Sequence, residues 1–178
     1  MSDHPLAPRA IDPAELPARE ALRHLVFAYG HAIDRRDYAL LHTLYHDDAT
    51  DDHRPYYTGP AAGYIAALPQ IMAAWRATSH VMLSCLALID GDHAEAEVTA
   101  RAWHLTADGT RQFIAWGRYA DRYDRRDGLW RFSHRAFILD HAEDRAVVPG
   151  DDFGSAGVAL GCAGRDDPVY AQLPLFCR

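Results

Sequence analysis

The chain has 178 residues, a formal net charge of −7, 49% hydrophobic residues and 24% charged ones, which suits one core-forming domain with short extensions. The acidic balance speaks against a nucleic-acid footprint, and no apolar run reaches the ~18 residues of a membrane helix. Lysine is absent, all 18 basic residues being arginine, so neither a Walker A loop nor lysine Schiff-base chemistry can operate.

Residues 1–17 carry Pro5, Pro8, Pro13 and Pro17 and read as an N-terminal arm. From Ala18, the residues Ala21, Leu22, Leu25, Val26, Tyr29 and Ile33 recur at helical steps. They predict an amphipathic helix ending near Asp34-Arg35-Arg36. A second short helix carries Leu40, Leu41, Leu44 and Tyr45. The polar residues His46, Asp47, Asp48, Asp51, Asp52 and His53 then read as a solvated loop, since no ligand spacing marks a metal site. Thr58-Gly59-Pro60 is a break. Residues 61–76 predict a third helix burying Tyr64, Ile65, Leu68, Ile71, Met72 and Trp75, with Pro69 expected to kink or split it.

Beyond Trp75 the period changes to two. Residues 79–90, 93–106, 111–124 and 129–141 predict four long strands joined at Asp90-Gly91, Asp108-Gly109 and Asp127-Gly128. Three helices before a meander imply an α+β domain, residues 18–141, with helices on one face of a curved sheet. Residues 142–178, with Pro149, Gly150, Gly154, Gly157, Gly161, Gly164, Pro168 and Pro174, lose periodicity. They read as an irregular extension that packs on its own domain or a neighbour. Cys85, Cys162 and Cys177 are too few and scattered for a disulfide framework. The N-terminus lacks the order of a signal peptide, so a cytoplasmic location is expected.

Three segments carry a resemblance, one of them running from Asp37-Tyr38 to Tyr45-His46-Asp47-Asp48-Ala49. Ala28-Tyr29-Gly30-His31-Ala32-Ile33-Asp34 closes the first helix, and Tyr119-Ala120-Asp121-Arg122-Tyr123 runs through Asp127-Gly128 into Trp130-Arg131-Phe132. With the helix-then-meander order, residues 18–140 resemble the SnoaL-like branch of the nuclear-transport-factor-2-like superfamily. That resemblance implies a cone-shaped α+β barrel of mixed, mainly antiparallel sheet packed on three N-terminal helices. It is similar in particular to the dehydratase-like members: scytalone dehydratase, bile-acid 7α-dehydratase and hexachlorocyclohexane dehydrochlorinase. These place an aspartate at the end of helix one and a histidine in the first meander strand, where Asp34 and His80 stand. The bile-acid enzyme adds a tyrosine matched by Tyr29, and it and the dehydrochlorinase add an arginine matched by Arg135. The resemblance thus implies a cofactor-free and metal-free lyase, a small apolar substrate of steroid-like or aromatic kind, and a homotrimer.

The chemistry agrees with those residue types. Imidazole titrates near neutrality and suits His80 as a base, while Asp34 would fix its tautomer. Tyr29 can donate a hydrogen to a carbonyl or leaving hydroxyl, and Arg135 can stabilise developing negative charge. Strand parity groups Arg135 with Ser133, Phe137 and Leu139, opposite Trp130 and Phe132. Trp103, Trp116, Tyr119, Phe137 and Tyr64 are candidates to line an apolar pocket. His104 and His134 could join His80 in a three-histidine site, although separate strands fix no such geometry. Each residue also has a structural reading: helix end, strand histidine, core tyrosine. Two further functions share this fold: an isomerase or cyclase with a carboxylate base, and a binding or assembly subunit like those of ring-hydroxylating dioxygenases.

Overall fold

A computed structural model describes residues 4–7, 10–148, 150 and 157–177. Pro8, Pro149 and Gly154 of the sequence reading lie outside them. The elements are α1 (Leu16–Arg35), α2 (Tyr38–Leu44), β1 (Tyr45–His53), β2 (Tyr57–Pro60), α3 (Ala61–Met72), β3 (Trp75–Met82), β4 (Leu86–Asp90), β5 (His93–Thr106), β6 (Arg111–Arg126), β7 (Leu129–Ala146) and α4 (Pro168–Gln172).

The strands form one sheet in the order β2-β1-β7-β6-β5-β3, with β4 also paired to β5. Only β1 and β7 run parallel; the other pairings are antiparallel. The fold is therefore an α+β cone whose sheet stays open at its β2 and β3 edges. Leu22, Val26, Tyr29 and Ile33 of α1 meet Leu41, Ile65, Leu68, Val98, Tyr123 and Phe132 in the core. Burying each such aliphatic side chain contributes about 1.5–3 kcal/mol. No helix among the described residues is long and apolar enough to cross a membrane.

Several sequence expectations move. Helix α1 starts at Leu16, two residues early, because Pro17 sits in its first turn, where a missing N–H costs nothing. Helix α3 runs unbroken through Pro69 and stops at Met72, freeing Trp75 to open β3. Pro69 lies in the last turn, while Leu68 and Met72 bury one common face. Residues 79–90 are two strands, separated where the Leu83 N–H turns to the Thr99 carbonyl at 2.8 Å. The sheet thus has seven strands rather than four. The expected loop at 46–53 is β1, and the break at Thr58-Gly59-Pro60 belongs to β2.

Strand β7 runs to Ala146, five residues into the expected extension. Beyond it, the chain returns to the end of α1. The Gly164 N–H donates to the Arg35 carbonyl at 2.8 Å, Arg35 pairs with buried Asp167, and Tyr170 packs edge-on against His31. The tail thus packs on its own domain.

The β6–β7 hairpin turns at Asp127 and Gly128, both with positive φ (52° and 78°), the conformation a two-residue turn with the strands' own twist demands. Two bulges follow in β7. Arg122 faces His134 while Tyr123 faces Phe132, so Ser133 is extra; Asp140 is extra in the same way, between Leu139 and His141. The first bulge overturns simple strand parity: Trp130, Phe132 and Arg135 are all buried on the inner side. At the second, Gly117 provides room. A Cβ there would lie 2.5 Å from the Ile138 carbonyl oxygen and 2.7 Å from the Phe137 ring. Gly117→Ala is accordingly expected to cost about 1–3 kcal/mol by overpacking, read as a lowered midpoint in thermal melts.

Candidate functional site

Inside the cone is a cavity of about 330 Å³, near the lower end of small-molecule pockets. The inner face of β5 makes room for it. Ala102 lines it, beside Ala115 of β6, and these small side chains leave space where larger ones would fill it. Tyr29, Tyr64, Tyr119, Phe137, Trp75 and Phe113 supply aromatic walls, and His80, His104, His53 and Arg54 supply ionisable groups. No Asp or Glu is among the lining residues.

His80 and Asp34 meet because α1 runs close against β3. A Cβ on Gly30 would lie 3.2 Å from the His80 carbonyl oxygen, so a glycine is what lets the helix approach. Asp34 follows one turn later on the same face. Its Oδ1 accepts from His80 Nδ1 at 2.7 Å and from the Thr78 hydroxyl at 2.8 Å, and its Oδ2 accepts the His80 backbone N–H at 2.7 Å. A carboxylate at a helix C-terminus opposes the helix dipole, and these three donors compensate it. Burial pushes the Asp34 carboxyl up, but the donors from His80 and Thr78 outweigh it and hold it below its ordinary value. An ionised Asp34 can only accept, so Nδ1 carries the hydrogen, and in a neutral ring of His80, a residue that lines the cavity, Nε2 is the acceptor.

His104 stands edge-on to His80, ring centroids 5.3 Å apart. Burial, reinforced by repulsion from the neighbouring His80 ring whenever both would be protonated, lowers its pKa to about 4. Its buried Nδ1 has no hydrogen-bond partner. The unfolded chain takes a proton near ~6.5 and the folded one only near 4. Stability from neutral His104 is therefore present above pH ~6.5 and lost as pH falls toward 4, by about 3 kcal/mol. Melting curves from pH 7 to pH 4 should show that loss, and His104→Phe should flatten it.

A second histidine–aspartate pair enters from β1, at the other flank of the sheet from β3. His53 Nδ1 bonds Asp51 Oδ1; Asp51 Oδ2 accepts from the Tyr45 hydroxyl at 2.8 Å. His53 Nε2 lies 3.3 Å from the Tyr29 hydroxyl, which lies 3.2 Å from the Tyr64 hydroxyl. The His53 ring stacks on Tyr64 with centroids 4.5 Å apart. Burial first, then the neighbouring acidic groups, raises the Tyr29 and Tyr64 phenols well above their ordinary value, so both keep their hydrogens.

Asp51 and His53, a solvated loop by composition, lie in strand β1. The signal that composition lacks is a polar period of two: Ala49 and Asp51 point inward and His53 follows, while Asp48 pairs outward with Arg126 and Asp52 with Arg54. That alternation also disperses the acidic cluster. Among the described residues, no three His, Cys, Asp or Glu side chains gather as a metal site would need. His134 bonds Thr50 at 2.7 Å and does not join His80 and His104.

Of the residues singled out in the sequence, Tyr29, His80, Tyr64, Tyr119 and Phe137 line the cavity, and Asp34 backs His80. Arg135 does not reach it. Its guanidinium is fully buried, bonds Asp121 at 2.8 and 2.6 Å, and lies 4.1–4.2 Å from the ring centroids of Tyr29, Tyr119 and Phe132. Trp103 and Trp116 point away, because their strand parity opposes that of Ala102, His104, Phe113 and Ala115. Trp103 donates to Gln112 at 2.9 Å, and Trp116 carries Arg101 over its ring.

Solved structures of similar fold include a candidate scytalone dehydratase from Novosphingobium aromaticivorans DSM 12444, 22% identical over 79% of this chain and 95% of that one, with a TM-score of 0.68. A hexachlorocyclohexane dehydrochlorinase from Novosphingobium barchaimii LL02 is 19% identical over 75% and 94%, with a TM-score of 0.70. The beta subunit of a candidate aromatic-ring-hydroxylating dioxygenase from Novosphingobium aromaticivorans DSM 12444 is 22% identical over 72% and 92%, with a TM-score of 0.61. These identities establish a shared fold. No curated protein matches the sequence. The family of the SnoaL-like domain matches residues 14–136, well over half of the chain, and to that family this protein belongs.

Proposed function

We propose that the cavity carries out a cofactor-independent elimination, the loss of water from a small, cyclic, largely apolar molecule, with His80 as the base. The observation that carries this reading is the Asp34–His80 pair: the carboxylate holds Nδ1 at 2.7 Å, and Nε2 is left to take a proton inside an aromatic-walled cavity. The C–H proton goes to Nε2, its electron pair becomes the new double bond, and the oxygen on the neighbouring carbon leaves. Asp34 stabilises the imidazolium that forms, as the aspartate of a serine-protease triad does. The aromatic walls exclude water and favour a flat apolar substrate. The dehydratase and dehydrochlorinase names of two structural neighbours point to the same reaction class.

The alternatives fit less well. An isomerase or cyclase of the carboxylate-base type needs a carboxylate in the cavity wall, and none lines it. An assembly subunit needs neither an open cavity nor an imidazole fixed by a carboxylate that three donors hold in place. The test is product formation by wild type, His80→Ala and Asp34→Asn on a panel of hydroxysteroids and cyclic β-hydroxyketones. Dehydrated product from wild type that collapses in both variants is the expected result. Product that survives His80→Ala would overturn the reading in favour of a different base.

A further inference from the structure

Taking a proton from carbon solves half of an elimination. Hydroxide is a poor leaving group and departs far more readily as water, so a proton must reach the leaving oxygen. His104 is buried and its pKa is held down, which leaves it without a proton to give at neutral pH. Arg135 is sealed against Asp121 beneath the cavity.

The four groups Asp51, His53, Tyr29 and Tyr64 form a continuous hydrogen-bonded line that ends on the cavity wall. We propose that this line is a proton wire, with Tyr64 as the terminal donor to the leaving oxygen; the assignment rests on the elimination reading above. In the loaded form both ring nitrogens of His53 carry hydrogen. Nδ1–H donates to Asp51, which also accepts from Tyr45, so the imidazolium faces a carboxylate already oriented for it. Nε2–H donates to the Tyr29 oxygen, Tyr29 donates to the Tyr64 oxygen, and the Tyr64 hydrogen faces the cavity.

The step balances. His80 Nε2 takes the proton from carbon, and that electron pair forms the double bond. The carbon–oxygen bond breaks, and its electron pair takes the hydrogen of Tyr64. Tyr64 takes the hydrogen of Tyr29, and Tyr29 takes the Nε2 proton of His53. Water leaves with the product. His80 ends charged and His53 neutral, and exchange with solvent resets both. The two pairs enter from opposite flanks of the sheet, β3 for His80 and β1 for His53, with β7, β6 and β5 between them. That is the arrangement in which one group faces the C–H bond and the other the leaving group. Tyr64 is the catalytic residue of this half; His53 and Asp51 act through it as positioning residues.

Chloride leaves without a proton, so a matched pair of substrates reads the wire. The experiment compares kcat for a cyclic β-hydroxyketone that the protein dehydrates with kcat for its β-chloro counterpart, in wild type, His53→Gln, Tyr64→Phe and His80→Ala. Loss of the wire is expected to lower the ratio of water loss to chloride loss by about 10-fold or more in both His53→Gln and Tyr64→Phe, in line with the usual worth of a general acid. A ratio unchanged in both variants, with the two reactions falling together, would overturn the wire and leave His53 a structural residue. His80→Ala should depress both reactions alike. Chloride loss that survives it would sink the elimination reading itself, a failure distinct from that of the wire.

Discussion

Removing the His80 imidazole as His80→Ala is expected to lower kcat for elimination by ~100-fold or more, since a positioned general base contributes about 10²–10⁴. Asp34→Asn should do comparable damage by another route. The amide can present its NH₂ to Nδ1, which then becomes the acceptor, and Nε2 is left holding a hydrogen where a lone pair is needed. In the serine-protease triad the corresponding change costs about 10⁴ in kcat. Asp34 also accepts from the Thr78 hydroxyl and the His80 backbone N–H. Asp34→Asn is therefore expected to lower the melting temperature as well, whereas His80→Ala, which keeps its backbone donor, should lower it less. Circular dichroism beside steady-state kinetics separates the two effects. Equal, small losses of kcat in both variants would contradict the assigned roles.

Arg135 carries the largest expected effect on stability. It is fully buried, as is Asp121, and the pair is held by two hydrogen bonds of 2.8 and 2.6 Å. Three aromatic rings surround the guanidinium. Although burial disfavours its charge, the Asp121 carboxylate keeps it firmly protonated. Arg135→Met strands Asp121 in the core with only the Tyr123 hydroxyl, at 2.7 Å, as a side-chain donor. Breaking a buried pair from one side costs about 3–5 kcal/mol. For a domain of this size that is a drop of roughly 6–20 °C in melting temperature. The double replacement Arg135→Met with Asp121→Leu removes the stranded charge and should recover much of the loss, because buried pairs often break even against apolar replacements. A single variant that melts within 2–3 °C of wild type, on the order of 1 kcal/mol, would show that the pair is not the strut beneath the cavity.

Helices and hairpins were legible where chemistry repeats. The Leu22, Val26, Tyr29, Ile33 stripe announces α1, and the Asp-Gly turns announce the hairpins of β5, β6 and β7. Asp34 and His80 were singled out through the resemblance, and the fold brings them within 2.7 Å of each other. What escaped has a common physical origin. Hydrophobic periodicity cannot see a strand whose inward residues are polar, so β1, with Asp51 and His53 turned inward, read as a loop. Parity counting assumes an unbroken register, and the extra residue Ser133 shifts every later side chain of β7. That shift is why Arg135 joins Phe132 in the core. Trp103 and Trp116 were grouped with the pocket for being aromatic, yet a strand offers every second position to solvent.

Whether Asp34 holds His80 as a base with Nε2 bare toward the cavity can be read without a substrate, by long-range proton–nitrogen NMR of the histidine side chains. Neutral His80 is expected to carry its hydrogen on Nδ1, to show an unprotonated Nε2, and to lose that preference in Asp34→Asn. A neutral His80 with its hydrogen on Nε2 in the wild-type protein would contradict that role, because no lone pair would then face the cavity.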